Sequence, residues 1–129
     1  MTKGMPKPTD AELEILQVLW QRGPSTVREV QEEINQTKAA GYTTVLKLMQ
    51  IMTEKELVRR DESQRAHVYV ARLPQEQTQR QLIGDLLDKA FEGSAAKLVM
   101  QALATKKASS HELSEIRRLL DEYEKTSRG

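Results

Sequence analysis

The sequence has no cysteine among its 129 residues. This absence excludes disulfide bonds, thiolate metal sites and cysteine nucleophiles. The chain has only two histidines, and it contains neither a phosphate-cradling glycine loop nor a recognisable nucleophile–base constellation. We therefore expect no enzyme, no bound metal and no cofactor.

Long apolar segments are also missing from the sequence. No run reaches the roughly 18 apolar residues that a membrane-spanning helix needs. No charged-then-apolar leader of the secretory type occurs either. The sequence therefore predicts a cytoplasmic protein without membrane insertion.

The net charge of +1 conceals an uneven distribution of charged residues. Acids outnumber bases between positions 10 and 36, whereas bases outnumber acids between positions 38 and 72. A polyanionic partner would bind the second, basic segment in preference to the first, acidic one. Ordinary solvated surfaces explain the same pattern equally well, so charge alone does not decide the function.

The N-terminal part of the chain predicts an arm and two helices. Positions 1–8 hold prolines, a glycine and lysines, which indicates a flexible arm. Thr9 and Glu12 have the spacing of a capping box, so the first helix starts at position 10, and a Gly-Pro pair ends it. Thr26 and Glu29 repeat this spacing, so the second helix opens at Ser25 or Thr26.

The segment from position 41 to 70 predicts a third helix followed by a β-hairpin. Its apolar residues recur with helical spacing and form one buried face: Val45, Leu48, Met49 and Met52. Valines at positions 58, 68 and 70 then alternate around a polar turn, which predicts two short antiparallel strands. A helix with a polar outer face followed by a basic hairpin is typical of a winged helix-turn-helix domain that binds DNA.

The outer face of the third helix carries side chains that can contact bases. Lys47 can reach guanine or phosphate, and Gln50 can pair with adenine through two hydrogen bonds. The preceding threonines can cap the helix, donate to phosphate or contact a thymine methyl group. Hairpin arginines, and the free amides at the start of the second helix, would contact the DNA backbone. The candidate DNA-binding residues are Ser25, Thr26, Thr43, Thr44, Lys47, Gln50, Arg59, Arg60 and Arg65.

Two other interpretations of this segment stay open. The polar face also fits a solvated helix, and the winged fold is also used as a protein–protein interaction module. We expect Trp20 to anchor the core and Tyr69 to pack at the base of the wing. His67 is expected to be an ordinary strand residue, because no second histidine or acid stands nearby at metal-site spacing.

The C-terminal part predicts three helices, at about 75–91, at about 95–104 and from a capping box of Ser109 and Glu112 onwards. These helices are too short to enclose a core alone, so pairing with a second copy is the economical solution. The residues expected at this dimer interface are Leu82, Leu86, Phe91, Leu98, Leu113, Ile116, Leu119, Leu120 and Tyr123.

The predicted fold is therefore mainly α. We expect a flexible arm over residues 1–8 and a winged helix-turn-helix domain over 9–73, with three helices and a short antiparallel β-hairpin. A three-helix dimerisation domain is expected over 74–129.

Four segments in this order resemble the penicillinase-repressor family of bacterial regulators, the BlaI, MecI and CopY group. They are TDAELEILQVLW in the first helix, GYTTVLKLMQIMTEKELV in the third, RAHVYVARL in the returning strand and KLVMQALATKKASSHELSEIRRLLDE near the C-terminus. The resemblance implies a homodimeric repressor whose winged-helix domains bind double-stranded DNA. Its operator would be a palindrome with TACA and TGTA half-sites.

The resemblance also implies a means of release. In the antibiotic-responsive members, a membrane sensor with a zinc protease domain detects a β-lactam, and the repressor is then cut between Asn and Phe in its dimerisation domain. The corresponding pair in this sequence is Gln101-Ala102, so both residues depart from the family pattern. The copper-responsive members carry a C-terminal cysteine cluster, which this sequence lacks.

Overall fold

The computed structural model describes residues 6–128, and it is mainly helical with one small sheet. The elements are α1 (Asp10–Arg22), β1 (Ser25–Thr26), α2 (Val27–Asn35), α3 (Tyr42–Glu54), β2 (Val58–Asp61), β3 (Val68–Ala71), α4 (Gln75–Ala90), α5 (Ala95–Thr105) and α6 (Ser110–Arg128). Two compact units follow each other along the chain, the first ending at Gly84 and the second beginning at Asp85. The predicted fold class is confirmed, while residues 1–5 of the predicted arm lie outside the described residues.

Capping boxes set the N-terminal ends of the first two helices. The hydroxyl oxygen of Thr9 accepts from the backbone N–H of Glu12 at 3.2 Å, and the Glu12 carboxylate accepts from the backbone N–H of Thr9 at 2.9 Å. Thr26 and Glu29 form the same reciprocal pair. Both predicted capping boxes are confirmed. The third helix differs, because its N-cap is Gly41 and neither predicted threonine caps it.

The core of the first unit lies where α1, α2 and α3 pack together and onto the sheet. Val45, Met49 and Met52 supply the buried face of α3, as the spacing predicts, while Leu48 is only half-buried. Tyr69 is also buried, which places it at the base of the wing as expected. The buried hydrophobic residues are Ile15, Leu16, Val18, Leu19, Val27, Val30, Val45, Met49, Met52, Leu57, Val58 and Tyr69.

The sheet has three antiparallel strands in the order β1-β3-β2. The predicted hairpin forms, with Val58 opposite Ala71 and Asp61 opposite Val68. A third, short strand that the sequence analysis did not predict joins this hairpin, because Ser25 also pairs with Tyr69 on the other side of β3. This short strand fixes the start of α2 to the base of the wing.

The connection from the sheet to α4 is held against α1. The indole N–H of Trp20 donates to the carbonyl of Leu73 at 3.0 Å. Thr78, in the first turns of α4, is buried. The first unit therefore includes the start of α4 and ends at Gly84, within that helix, whereas the sequence placed the boundary at position 73.

The second unit contains the end of α4 together with α5 and α6. Gly93 adopts a positive φ of 76° between α4 and α5, and Ser94 then caps α5 by accepting from the N–H of Lys97. Ser109 and Glu112 form the predicted capping box of α6. In the described part of this unit, no residue is buried. A single copy therefore leaves the apolar side chains of α5 and α6 accessible.

One buried ion pair joins α1 to the end of α3. The Nζ of Lys55 lies 2.7 Å from the Oε1 of Glu12, whose side chain is only 3% exposed. Burial raises the pKa of the Glu12 carboxyl, but hydrogen bonds from Lys55 and Thr9 outweigh it, and the pKa stays below its ordinary value of 4.5. The carboxylate is therefore the form that the folded state prefers.

Replacing this cation should lower stability in a pH-dependent way. We expect Lys55→Met to reduce the free energy of unfolding by about 1–3 kcal/mol near neutral pH, because it leaves the Glu12 carboxylate buried without its cation. A carboxyl whose pKa is lowered by folding stabilises the protein above its unfolded-state pKa, and this contribution is lost as the pH falls through the folded-state pKa. Urea unfolding near neutral pH and at about pH 3 should show the two proteins converging in acid.

Lys38→Met is the matched control for this measurement. It removes the Lys38–Glu14 ion pair, whose two side chains are 58% and 43% exposed. Such an exposed pair contributes at most about 1 kcal/mol. If Lys55→Met had the same free energy of unfolding as the wild type near neutral pH, the buried ion pair would not stabilise the fold.

Candidate nucleic-acid interface

The outer face of α3 presents the predicted contact residues to solvent. Thr43, Thr44, Lys47 and Gln50 are all exposed, while the opposite face of the helix packs into the core. Lys47 and Gln50 are three residues apart and therefore share one side of the helix. This face combines a cation, an amide and two hydroxyls on a helix that the core holds in place.

The wing carries two arginines on β2 and one in its loop. Arg59 and Arg60 are exposed on β2, and Arg65 is exposed in the loop before β3. The Asp61 carboxylate accepts from the backbone N–H of Ser63 at 2.9 Å, which closes the turn locally. The loop is therefore ordered by its own residues, and it projects cations without needing a ligand.

The three wing arginines are not equivalent. A hydrogen bond with the Tyr69 hydroxyl, and a second with the Glu62 carboxylate, raise the pKa of Arg60. The Arg60 Nε lies 2.7 Å from the Glu62 carboxylate. Arg59 and Arg65 have no ion-pair partner among the described residues. These two side chains are the wing cations most available to an external anion.

Two of the candidate DNA-binding residues, Ser25 and Thr26, lie at the start of α2. Ser25 is 0% exposed, and its hydroxyl donates to the carbonyl of Gly23 at 2.8 Å. Its side chain therefore cannot reach a ligand, whereas the predicted contact through the backbone amides near Ser25 and Thr26 stays a prediction. The burial follows from the pairing of β1 with β3, which no local pattern indicates. Thr26 is half-buried, and its hydroxyl oxygen accepts the N–H of Glu29.

Three residues outside the predicted set of DNA contacts lie next to the predicted ones. Arg28, Tyr42 and His67 line a cleft of about 380 Å³ together with Thr26 and Arg65. We call it the Arg28 cleft, defined by these five residues. The Arg28 Cζ lies 5.4 Å from the centroid of the Tyr42 ring, which is a cation–π contact. The sequence offered only an arginine and an aromatic at the starts of two different helices.

The predicted dimer residues are not buried in the single chain. Leu120 and Tyr123 of α6 are 58% and 70% exposed. Leu82 belongs to the first unit, since that unit extends to Gly84. Four others are half-buried, namely Phe91, Leu98, Leu113 and Ile116, and two are exposed, namely Leu86 and Leu119.

The candidate cleavage site lies in α5. Its two residues, Gln101 and Ala102, are both exposed.

The described part of the chain meets the requirements of neither a metal site nor a membrane-spanning helix. Residues 6–128 contain no group of three or more histidine, aspartate or glutamate side chains that could share a metal ion. Within the same residues, no helix is both long and apolar enough to cross a bilayer.

Comparison with known proteins gives three consistent similarities. The family model described as penicillinase repressor matches residues 8–122. The penicillinase repressor of Bacillus licheniformis is 22% identical over 121 residues, which cover 94% of each chain. The transcriptional regulator BlaI of Mycobacterium tuberculosis is 30% identical over 116 residues, covering 89% of this chain and 83% of that protein.

A solved structure shares the fold of the first unit. It is the solution structure of monomeric Bacillus licheniformis BlaI in complex with the blaP half-operator, at 24% identity and a TM-score of 0.50. The alignment covers 58% of this chain and 92% of that one.

Proposed function

The chain belongs to the penicillinase repressor family, and on that basis we propose that it is a cytoplasmic transcriptional repressor that binds a palindromic operator as a homodimer. The family consists of transcriptional repressors and not of enzymes. The observation that carries the proposal is the exposed face of α3, with Lys47 and Gln50, beside a wing that projects Arg59 and Arg65.

In this proposal α3 lies in the major groove. Gln50 is placed to form two hydrogen bonds with an adenine, and Lys47 is placed to reach a guanine or a phosphate. Thr43 and Thr44 occupy the first turn of the helix, where they can contact phosphate or a thymine methyl group. Sequence preference would come from this face of the helix.

The wing supplies contacts that do not depend on sequence. Arg59 and Arg65 bind backbone phosphates, while Arg60, tied to Tyr69 and Glu62, holds the wing in shape and offers its remaining N–H groups. Each phosphate contact releases counterions from DNA, so binding becomes sensitive to salt. The wing thus fixes the orientation of α3 in the groove.

A second copy of the chain completes the proposed repressor. The apolar stripe of α6, which includes Leu120 and Tyr123, is exposed in the single chain and fits burial against another copy. A twofold dimer presents two identical recognition helices, so its operator must contain two inverted half-sites. Their centres should lie about one helical turn of DNA apart, on the order of 10 base pairs.

Selection of bound duplexes from a random pool tests the DNA-binding part of the proposal. The selection is run with the full chain at two salt concentrations. We expect an inverted repeat that is retained at the higher salt, because base contacts survive screening better than phosphate contacts alone. A pool that stayed random at both salt concentrations would favour a winged helix that contacts proteins.

Release of the operator by proteolysis is the last part of the proposal. A membrane sensor protease would cut between Gln101 and Ala102, and α6 would then be separated from the DNA-binding unit. The bond lies inside α5, where the Gln101 carbonyl accepts from the Thr105 hydroxyl at 2.6 Å. The protease must unwind this turn, and α5 has no buried residue that would resist unwinding.

In this proposal the inducing signal, for which the family resemblance makes a β-lactam the first to test, should produce an N-terminal fragment that ends at Gln101. Mass spectrometry of an N-terminally tagged chain detects the fragment, and untreated cells are the control. Full-length chain in treated cells whose operator is no longer occupied would contradict a cut at this bond.

A further inference from the structure

The Arg28 cleft lies where α2, α3 and the wing meet. Arg28 comes from the first turn of α2, Tyr42 is the first residue of α3, and Arg65 and His67 come from the wing. Its floor is apolar, formed by residues such as Val27 and Leu46. Three chain segments therefore meet around one opening, and two of them, α2 and the wing, bring basic side chains to it.

The charge around the Arg28 cleft is of one sign. No carboxylate is among the described residues that line it. The nearest acid in sequence, Glu29, is already engaged, because its carboxylate accepts from the backbone N–H of Thr26 and from Arg22. The two arginines are therefore not neutralised from within the cleft, and an external anion is the partner that their charge favours.

The contact between Arg28 and Tyr42 also restricts the geometry. The guanidinium lies over the Tyr42 ring at 5.4 Å, and the ring is itself 43% exposed. A guanidinium in a cation–π contact with a ring still has N–H groups that can donate to a phosphate. The ring thus restricts the position of the flexible Arg28 side chain and leaves it able to bind a phosphate.

We propose that the Arg28 cleft binds a phosphate of the DNA backbone, with Arg28 as its ligand and Tyr42 as the positioning residue that orients Arg28. The inference rests on the proposed function and adds to it a backbone contact made by α2 and α3. This contact fixes the depth and tilt of α3 in the groove, next to the wing residues Arg65 and His67 that line the same cleft. It contributes affinity to any DNA sequence equally.

The test measures affinity against salt for Arg28→Ala on two duplexes, the selected operator and a scrambled duplex of the same length. We expect a roughly tenfold loss on both duplexes, the effect of one charge-assisted hydrogen-bonded contact. The slope of log K against log salt should become shallower by about 0.9, the value for one phosphate contact. Arg80→Ala is the control, since it removes the same charge from α4, outside the cleft.

The role of Tyr42 is tested by a double-mutant cycle with Arg28. Tyr42→Leu should weaken binding in the wild-type background and have no further effect once Arg28 is alanine, because the ring acts through Arg28. Tyr42→Phe should bind like the wild type, since its ring still faces the guanidinium. If Tyr42→Leu weakened binding equally in both backgrounds, the ring would have a role independent of Arg28 and the positioning role would be wrong.

The two duplexes separate this inference from the proposed function. If the wild type prefers the operator but Arg28→Ala keeps its affinity and salt slope, the cleft proposal alone is overturned. If the wild type binds both duplexes equally and Arg28→Ala still reduces the slope, the cleft proposal holds and sequence recognition fails. If the wild type binds neither duplex, both proposals are overturned.

Discussion

Replacing Lys47, Gln50 and Arg65 together with alanine should abolish specific operator binding while the fold stays intact. All three side chains are exposed, so their loss leaves no cavity in the core. Each good base contact is worth about 1–3 kcal/mol, so losing those of Lys47 and Gln50 reduces affinity by roughly 10²–10⁴-fold. Loss of Arg65 removes one phosphate contact and makes the salt dependence shallower. Fluorescence anisotropy with a labelled operator measures both quantities.

A matched control for this triple variant is available on α4. Gln79, Arg80 and Lys89 are exposed, and replacing them with alanine removes the same three residue types and the same charge. The control should bind operator like the wild type, and both variants should unfold at the same urea concentration as the wild type. If the triple alanine variant of the recognition surface bound operator like the control, α3 would not be the element that recognises DNA.

Leu120→Glu should convert the proposed dimer into a monomer and thereby weaken operator binding. Leu120 is 58% exposed in the single chain, so a glutamate is tolerated there without disturbing a core. In a dimer the same glutamate would be buried in an apolar interface, at a cost that association cannot offset. A monomer binds only one half-site at a time, and losing the linkage of two half-sites reduces affinity by about 10²–10⁴-fold.

Sedimentation velocity at micromolar concentration gives the association state of Leu120→Glu directly. Lys125→Gln is the control, since it changes the net charge by the same amount on the face of α6 that carries the Arg118 ion pairs. The control should remain dimeric. If the wild type sedimented as a monomer at this concentration, the proposed homodimer would be wrong.

Much of the fold follows from local signals in the sequence. The capping box of Thr26 and Glu29 needs only residues three apart, and the spacing of Val45, Met49 and Met52 follows from the helix itself. Such features form wherever the local sequence folds into a helix. The starts of α1 and α2, and the buried face of α3, could therefore be predicted without knowing what lies opposite them.

The features that the sequence did not reveal depend on residues distant along the chain. Ser25 is buried because it pairs with Tyr69, and a two-residue strand has no periodicity of its own. The first unit extends to Gly84 and Thr78 is buried, whereas Pro74 is the local signal that the sequence offers in this region. The contact between Arg28 and Tyr42 joins two helices, and neither residue is unusual in its own segment.

The most direct test of the account is the ratio of two affinities. Binding of the full chain is measured at physiological salt to the selected inverted repeat and to a scrambled duplex of equal length. A sequence-specific repressor should bind the inverted repeat about 10³–10⁷ times more tightly than the scrambled duplex. A ratio near 1 would contradict the account, because the basic residues of α3 and the wing would then form only an electrostatic surface.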